Sequence, residues 1–239
     1  MRFTGHAFVD WDDTVAENIR YFNEAEEANS RLIARLTGSD AASVHNRGQE
    51  LDLAVARRIG LGKESFGTAW CDCYREFCAG AGQEPDPETE EAIWAACLMP
   101  YVVKQGLHAG AAETLAWLGE RGFEVTIWTA GDHDVQSRKI AESGLSHLIH
   151  RAEIVPDKTP DRLLAALGGR DLSLSFVVGN SIHSDIRPAL AVGIPAFHIA
   201  VETWAYDHGH LDLSDSNYHR IAGIHEVPQV VGHRFRLAV

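Results

Sequence analysis

Short apolar runs and amphipathic stretches divide this chain unevenly. Residues 3–9 end in the apolar run Ala7-Phe8-Val9 and meet the acidic cluster Asp10-Trp11-Asp12-Asp13, which predicts a short buried strand running into a polar loop. From Glu17 to about Met99 strand signals are scarce and amphipathic helices take over. There Phe66, Trp70, Tyr74 and Phe77 recur at spacings of four, four and three, so they share one helix face and predict an aromatic core stripe rather than a ligand-stacking platform. Glu84–Glu91 carries two prolines and five acids, which suits an exposed linker followed by an acidic helix start.

After Leu107 the pattern alternates. A helix over Ala111–Arg121 stops at Gly122, a strand covers Phe123–Trp128, and Thr129-Ala130-Gly131-Asp132 leads into a helix to about Ser143. A strand near Glu153–Val155 precedes Asp157-Lys158-Thr159-Pro160, with Pro160 suited to a first helical turn. A strand over Ser175–Val178 leads into Gly179-Asn180-Ser181, a helix through Ala191 and a strand over Ala196–Ala200. Strands alternating with helices of about ten residues predict βαβ units and a mostly parallel sheet. The first strand is separated from the rest by an insertion of roughly 85–90 residues, far beyond an ordinary connection. The expected organisation is therefore a discontinuous α/β core, residues 1–16 and 105–239, with a helical domain over 17–104 inserted as a lid.

Composition narrows the function classes. With 34 Asp and Glu against 21 Lys and Arg, the formal charge of -13 disfavours nucleic-acid and anionic-membrane surfaces, which call for basic patches. Acids interrupt any apolar segment near the amino terminus, and the longest membrane-like run, Pro188–Val201, is too short to span a bilayer. Cys71, Cys73, Cys78 and Cys97 are read as reduced thiols of a cytoplasmic protein, with a zinc site on the first three as the minor reading.

In an open parallel sheet, ligands bind at the carboxyl ends of the strands. Four such ends carry polar groups: Asp10 with Asp12, Thr129, Lys158, and Asn180 with Asp185. Residues two apart project the same way where the backbone stays extended, so Asp10 and Asp12 could share a site. Clustered carboxylates repel unless a hard cation such as Mg2+ joins them. Lys158, Thr129 and neighbouring backbone N–H groups, that of Ala130 included, can hold phosphate oxygens.

These residues resemble the motifs of the haloacid dehalogenase (HAD) superfamily. Asp10-Trp11-Asp12-Asp13-Thr14 resembles its D-x-D-x-T motif, Thr129 its second motif, Lys158 its third, and Gly179-Asn180-Ser181-Ile182-His183-Ser184-Asp185 its fourth. The resemblance spans the core and implies a Rossmann-like three-layer α/β fold with an inserted helical cap. It further implies a Mg2+-dependent phosphatase acting on a small phosphorylated metabolite. Asp10 would be the nucleophile forming an aspartyl-phosphate, and Asp12 the acid and base. Mg2+ would be held by Asp10, the Asp12 carbonyl, Asn180 and Asp185, and the phosphoryl group by Thr129, Ala130 and Lys158. Asp12 favours phosphate esters, because the dehalogenase branch lacks an acid at that position. Two positions depart from the pattern: Asp13 where glycine is common, and Asn180 where an Asp often binds metal.

Other readings stay open. A phosphotransferase or mutase would use a substrate hydroxyl in place of water, and Asn180 motivates a catalytically weak binding protein. A signalling receiver domain fits poorly, because both key acids follow the first strand. Gly60–Glu64 is an incomplete P-loop. His133, His45-Asn46-Arg47 and Asp207-His208-Gly209-His210 are read chiefly as surface or packing residues.

Overall fold

The computed structural model describes residues 3–60, 62–201 and 214–237. They fall into two compact units: the residues up to Ile19 together with those from Lys104 onward, and Arg20–Val103.

The first unit is built on a six-stranded, all-parallel sheet ordered β3-β2-β1-β4-β5-β6. Its strands are β1 (Gly5–Val9), β2 (Phe123–Ala130), β3 (Arg151–Val155), β4 (Ser175–Gly179), β5 (Ala196–Ile199) and β6 (Tyr218–Ile221). Alternation along each strand sorts the side chains into two cores. Ala7, Val9, Val125, Ile127, Phe176, Val178, Phe197 and Ile199 pack one face against helices α5 (Ala111–Glu120) and α9 (Val227–Phe235). Phe8, Trp128, Val177 and Ala196 pack the other against α7 (Pro160–Leu167) and α8 (Arg187–Val192). Helix, sheet, helix: this is the expected three-layer architecture, with β1 and β4 buried on both faces and apolar but for His6 and Ser175 at their starts.

Three differences from the sequence reading have local causes. The helix expected after Asn180 is a π-helical turn, Ile182–Ile186, that passes into α8. Pro188 has no N–H to offer the Ser184 carbonyl, so one bond of the α-helical ladder is missing there. Strand β6 and helix α9 carry no strong pattern. β6 is a half-exposed edge strand, and α9 mixes Pro228 and Gly232 into its apolar stripe.

The second unit contains α1 (Ile19–Thr37) from Arg20 onward, α2 (Ala41–Ile59), α3 (Lys63–Gly80) and α4 (Pro87–Val102). Phe66, Trp70 and Tyr74 are buried as a core stripe, whereas Phe77 is half-buried. Helices α2 and α3 approach closely at Gly48, where a Cβ would lie 2.6 Å from the Trp70 ring. All four cysteines are buried and outside any disulfide, and burial pushes the Cys71 thiol up to about 11 and Cys73 to about 12. Arg47 forks onto Glu76 at 2.7 and 2.9 Å, and the His45 ring lies 3.8 Å from Glu26. The Asp207–His210 segment and Leu61 of the partial P-loop lie outside the described residues.

Asp52 on α2 is raised to about 6, first by burial and then by the charge of Glu26. A carboxyl with a raised folded-state pKa favours the native state while protonated and loses that advantage as pH rises through the folded value. Asp52→Asn is therefore expected to flatten the fall in melting temperature between about pH 4 and 7. Thermal melts across that range check this, and an unchanged slope would show that Asp52 ionises freely.

Candidate active site

The carboxyl ends of β1, β2 and β4, together with the loop after β3, collect the polar residues singled out above. Asp10 follows β1, and its N–H donates to the Val178 carbonyl at 2.9 Å, locking it to β4. From the loop after β3, Lys158 extends a buried ammonium that donates to Asp10 Oδ1 and Asp185 Oδ1, both at 2.5 Å. Burial alone would lower the lysine, but the two carboxylates outweigh it and hold its pKa above the usual value. Asp10 is pushed upward, by burial first and also by the nearby charges of Asp185 and Asp12, against the pull of Lys158.

Asp185 sits on the π-turn, and its Oδ2 accepts the Ser181 N–H at 3.0 Å. Gly179 makes room for it: a Cβ there would lie 2.3 Å from the Asp185 carboxyl carbon. Asn180 points its Oδ1 to within 3.5 Å of the buried Thr14 hydroxyl. The Asn180 carbonyl accepts from His198 Nε2 at 3.1 Å, so His198 Nδ1 faces the Tyr218 hydroxyl at 2.9 Å.

Asp12 has different partners from Asp10. The chain leaves the extended conformation after Val9, and Val15 and Ala16 donate back to the Trp11 carbonyl, so strand alternation does not apply. Asp12 Oδ1 accepts Lys139 Nζ at 2.8 Å and Gln105 Nε2 at 2.9 Å, and Oδ2 accepts Gln136 Nε2 at 2.9 Å. Burial would raise this carboxyl, but Lys139, then Gln105 and Gln136, lower it below its ordinary value.

Asp13 accounts for the preference for glycine at its position. Its φ is +60°, in the left-handed region. It tolerates that conformation while its carboxylate accepts the N–H groups of Asn18 and Ile19 at 2.8 and 2.9 Å, capping the start of α1. Thr129 is buried at the end of β2, with Gln136 Nε2 2.6 Å from its hydroxyl oxygen, and Ala130 follows it. His133 is exposed in the first turn of α6 (His133–Glu142) and faces Asp134 at 3.6 Å.

Sequence reasoning missed Lys139, Gln136, Gln105 and Asn18. The signal was faint but present: Gln136 and Lys139 occupy the buried stripe of α6 with Ile140, where apolar residues belong. Gln105 and Asn18 carry no comparable mark. They meet because Glu17 and His108 pair the two connecting segments through Gly106 and Val15.

Among the described residues no group of three or more His, Cys, Asp and Glu side chains is arranged as a metal site. At the strand ends two carboxylates, Asp10 and Asp185, converge on the Lys158 ammonium, and the Asn180 amide oxygen follows β4. These oxygens are hard donors, and the missing Cβ at Gly179 is what lets Asp185 join them, so the residues fit Mg2+.

A parallel α/β sheet with its polar residues gathered at the strand ends is the Rossmann-like class. Within that class the fold is the one of the HAD-like hydrolases. A HAD-like family hydrolase from Xanthomonas campestris superposes with a TM-score of 0.80 at 23% identity, over 98% of this chain and 97% of that one. A HAD-hydrolase-like protein of Bacillus subtilis bound to magnesium gives 0.64 at 16% identity, over 97% and 99%. A HAD phosphatase from Thermococcus onnurineus gives 0.60 at 18% identity, over 96% and 98%. L-2-haloacid dehalogenases share the fold as well. No model of a known protein family matches the chain, and no curated protein matches it. No helix among the described residues is long and apolar enough to cross a membrane.

Proposed function

We propose that this protein is a Mg2+-dependent phosphatase that hydrolyses a small phosphorylated metabolite through an aspartyl-phosphate on Asp10. The observation that carries this reading is the convergence of Asp10, Lys158 and Asp185 beside an independently held Asp12. Asp10 Oδ attacks phosphorus and the ester oxygen leaves, so hydrolysis is divided into two displacements. Asp12 supplies the proton to the leaving oxygen and later takes one from water. Lys158 and the Thr129 hydroxyl, with the Ala130 N–H, orient the phosphoryl oxygens. Bound Mg2+ would supply charge neutralisation on those oxygens, held by Asp10, Asp185, Asn180 and the Asp12 carbonyl. A carbon-attacking dehalogenase has no use for a second carboxylate fixed by three donors, which favours phosphorus as the electrophile.

Turnover of p-nitrophenyl phosphate and a panel of sugar and alkyl phosphates, with Mg2+ and with chelator, tests the reading. The expected result is metal-dependent phosphate release and no halide release from 2-chloropropionate. Halide release, or no phosphate release across the panel, overturns it. Asn180→Asp adds a charge to the oxygen set and is expected to tighten Mg2+ binding about tenfold. Calorimetric titration measures this, and an unchanged affinity places Asn180 outside the metal's contacts.

A further inference from the structure

We propose that Lys139 is a positioning residue: with Gln105 and Gln136 it fixes the Asp12 carboxylate so that one lone pair, on Oδ2, is left to take a proton from the water that releases phosphate from Asp10. The inference rests on the phosphatase reading above and adds to it the device that prepares the second, hydrolytic step.

An ionised carboxylate offers about four lone-pair directions. Lys139 and Gln105 fill both on Oδ1, and Gln136 fills one on Oδ2. The donors are themselves held. Lys139 Nζ also donates to Asn18 Oδ1 at 3.1 Å, and Gln105 Nε2 to the same oxygen at 3.0 Å. Gln105 Oε1 accepts the indole N–H of the buried Trp11 at 2.9 Å. The Gln136 amide points its nitrogen at Asp12 although its own Oε1 has no hydrogen-bond partner among the described residues. Turned over, it would set a carbonyl against a carboxylate. Asp12 Oδ2 and the Ala130 carbonyl, which also accepts from Gln136 Nε2 at 3.2 Å, therefore set the orientation of that amide, and the three donors leave Asp12 one direction to use.

Burying an ammonium is costly unless it is paired, and an apolar residue would hold α6 to the core as Ile140 does. The Lys139 side chain is only 5% exposed, whereas that of Asp12 is 24% exposed, so the carboxylate is the member that water reaches. In the step itself a water proton passes to Asp12 Oδ2 while the water oxygen bonds to phosphorus. The bond from phosphorus to the Asp10 oxygen breaks, its electron pair returns to the Asp10 carboxylate, and inorganic phosphate forms.

Lys139→Met keeps the stem and removes the donor. With p-nitrophenyl phosphate, whose leaving group needs no proton, the variant is expected to release a burst of p-nitrophenol matching the enzyme concentration. Its steady-state kcat should then fall about 100-fold, with KM falling in parallel and kcat/KM nearly unchanged. Lys139→Arg, which retains charge and donors, should recover most of the steady-state rate. A joint loss of kcat and kcat/KM without a burst, or an unchanged kcat, overturns the proposal. If Lys139→Met does not fold, Gln105→Leu carries the same test with a smaller effect expected. Failure of this inference is distinguishable from failure of the phosphatase reading: there, the wild type itself releases no phosphate or Asp10→Asn retains turnover, and both fall together.

Discussion

Asp10→Asn is expected to lower Mg2+-dependent turnover of p-nitrophenyl phosphate by about four to six orders of magnitude, the scale on which loss of a nucleophile is felt. The amide keeps the shape of the side chain and can still accept from Lys158, so the fold and the Val178 bond to the backbone N–H should persist. What disappears is the anionic oxygen that attacks phosphorus. Acid-quenched wild-type enzyme should carry a covalent phosphate on the peptide containing Asp10, and the variant should carry none. Circular dichroism and melting curves establish that the variant is folded. Residual turnover within tenfold of wild type would move the nucleophile elsewhere, and a phosphate found on another peptide would identify where.

The parts of the molecule legible in the sequence are those where one force dominates. Strands β1 and β4 are buried on both faces, so Ala7-Phe8-Val9 and Phe176-Val177-Val178 are unbroken apolar runs, and each gives way abruptly to polar residues at the site. The order of Asp10, Thr129, Lys158 and Asp185 along the chain could be read because each ends a strand or follows one. Elements set by weaker or competing terms were not legible. β6 lies at an edge and needs one covered face only, and the π-turn stands just before Pro188, where the ladder lacks one N–H. The Asp12 network was hidden for a different reason. Its members, at positions 18, 105, 136 and 139, are far apart in sequence and polar, and only the place of Gln136 and Lys139 beside Ile140 on α6 hinted at burial. The placement of Asp12 shows the limit most clearly. Spacing two residues from Asp10 suggested a shared direction, but the turn closed on the Trp11 carbonyl gives each carboxylate a lysine of its own. An acidic protein thus gives two carboxylates of one short motif different partners: burial and the charges of Asp185 and of Asp12 itself push Asp10 upward, and Lys139 with two amides draws Asp12 down.

Lys158→Met is expected to be the most destabilising single change at the site. The ammonium lies between Asp10 and Asp185, whose side chains are 8% and 1% exposed, and without it two buried carboxylates face each other unpaired. Removing one partner of such a buried group costs about 3–5 kcal/mol. Without the lysine, Asp10, which burial already pushes upward, would hold its proton more tightly still in the native state than in the unfolded chain. The native state is then favoured at low pH and loses ground as pH rises, so the deficit against wild type should be largest near neutrality and shrink toward about pH 5. Two further measurements separate this from a packing defect. Asp10→Asn placed in the Lys158→Met background should restore part of the lost stability, because one of the opposed charges is gone. Millimolar Mg2+ should raise the melting temperature of Lys158→Met by more than that of wild type, since the same carboxylates then gain a cation. Chemical denaturation at several pH values, with and without Mg2+, checks all three. A deficit independent of pH and of Mg2+ would show that Lys158 serves as packing, and that the two carboxylates do not depend on it for charge.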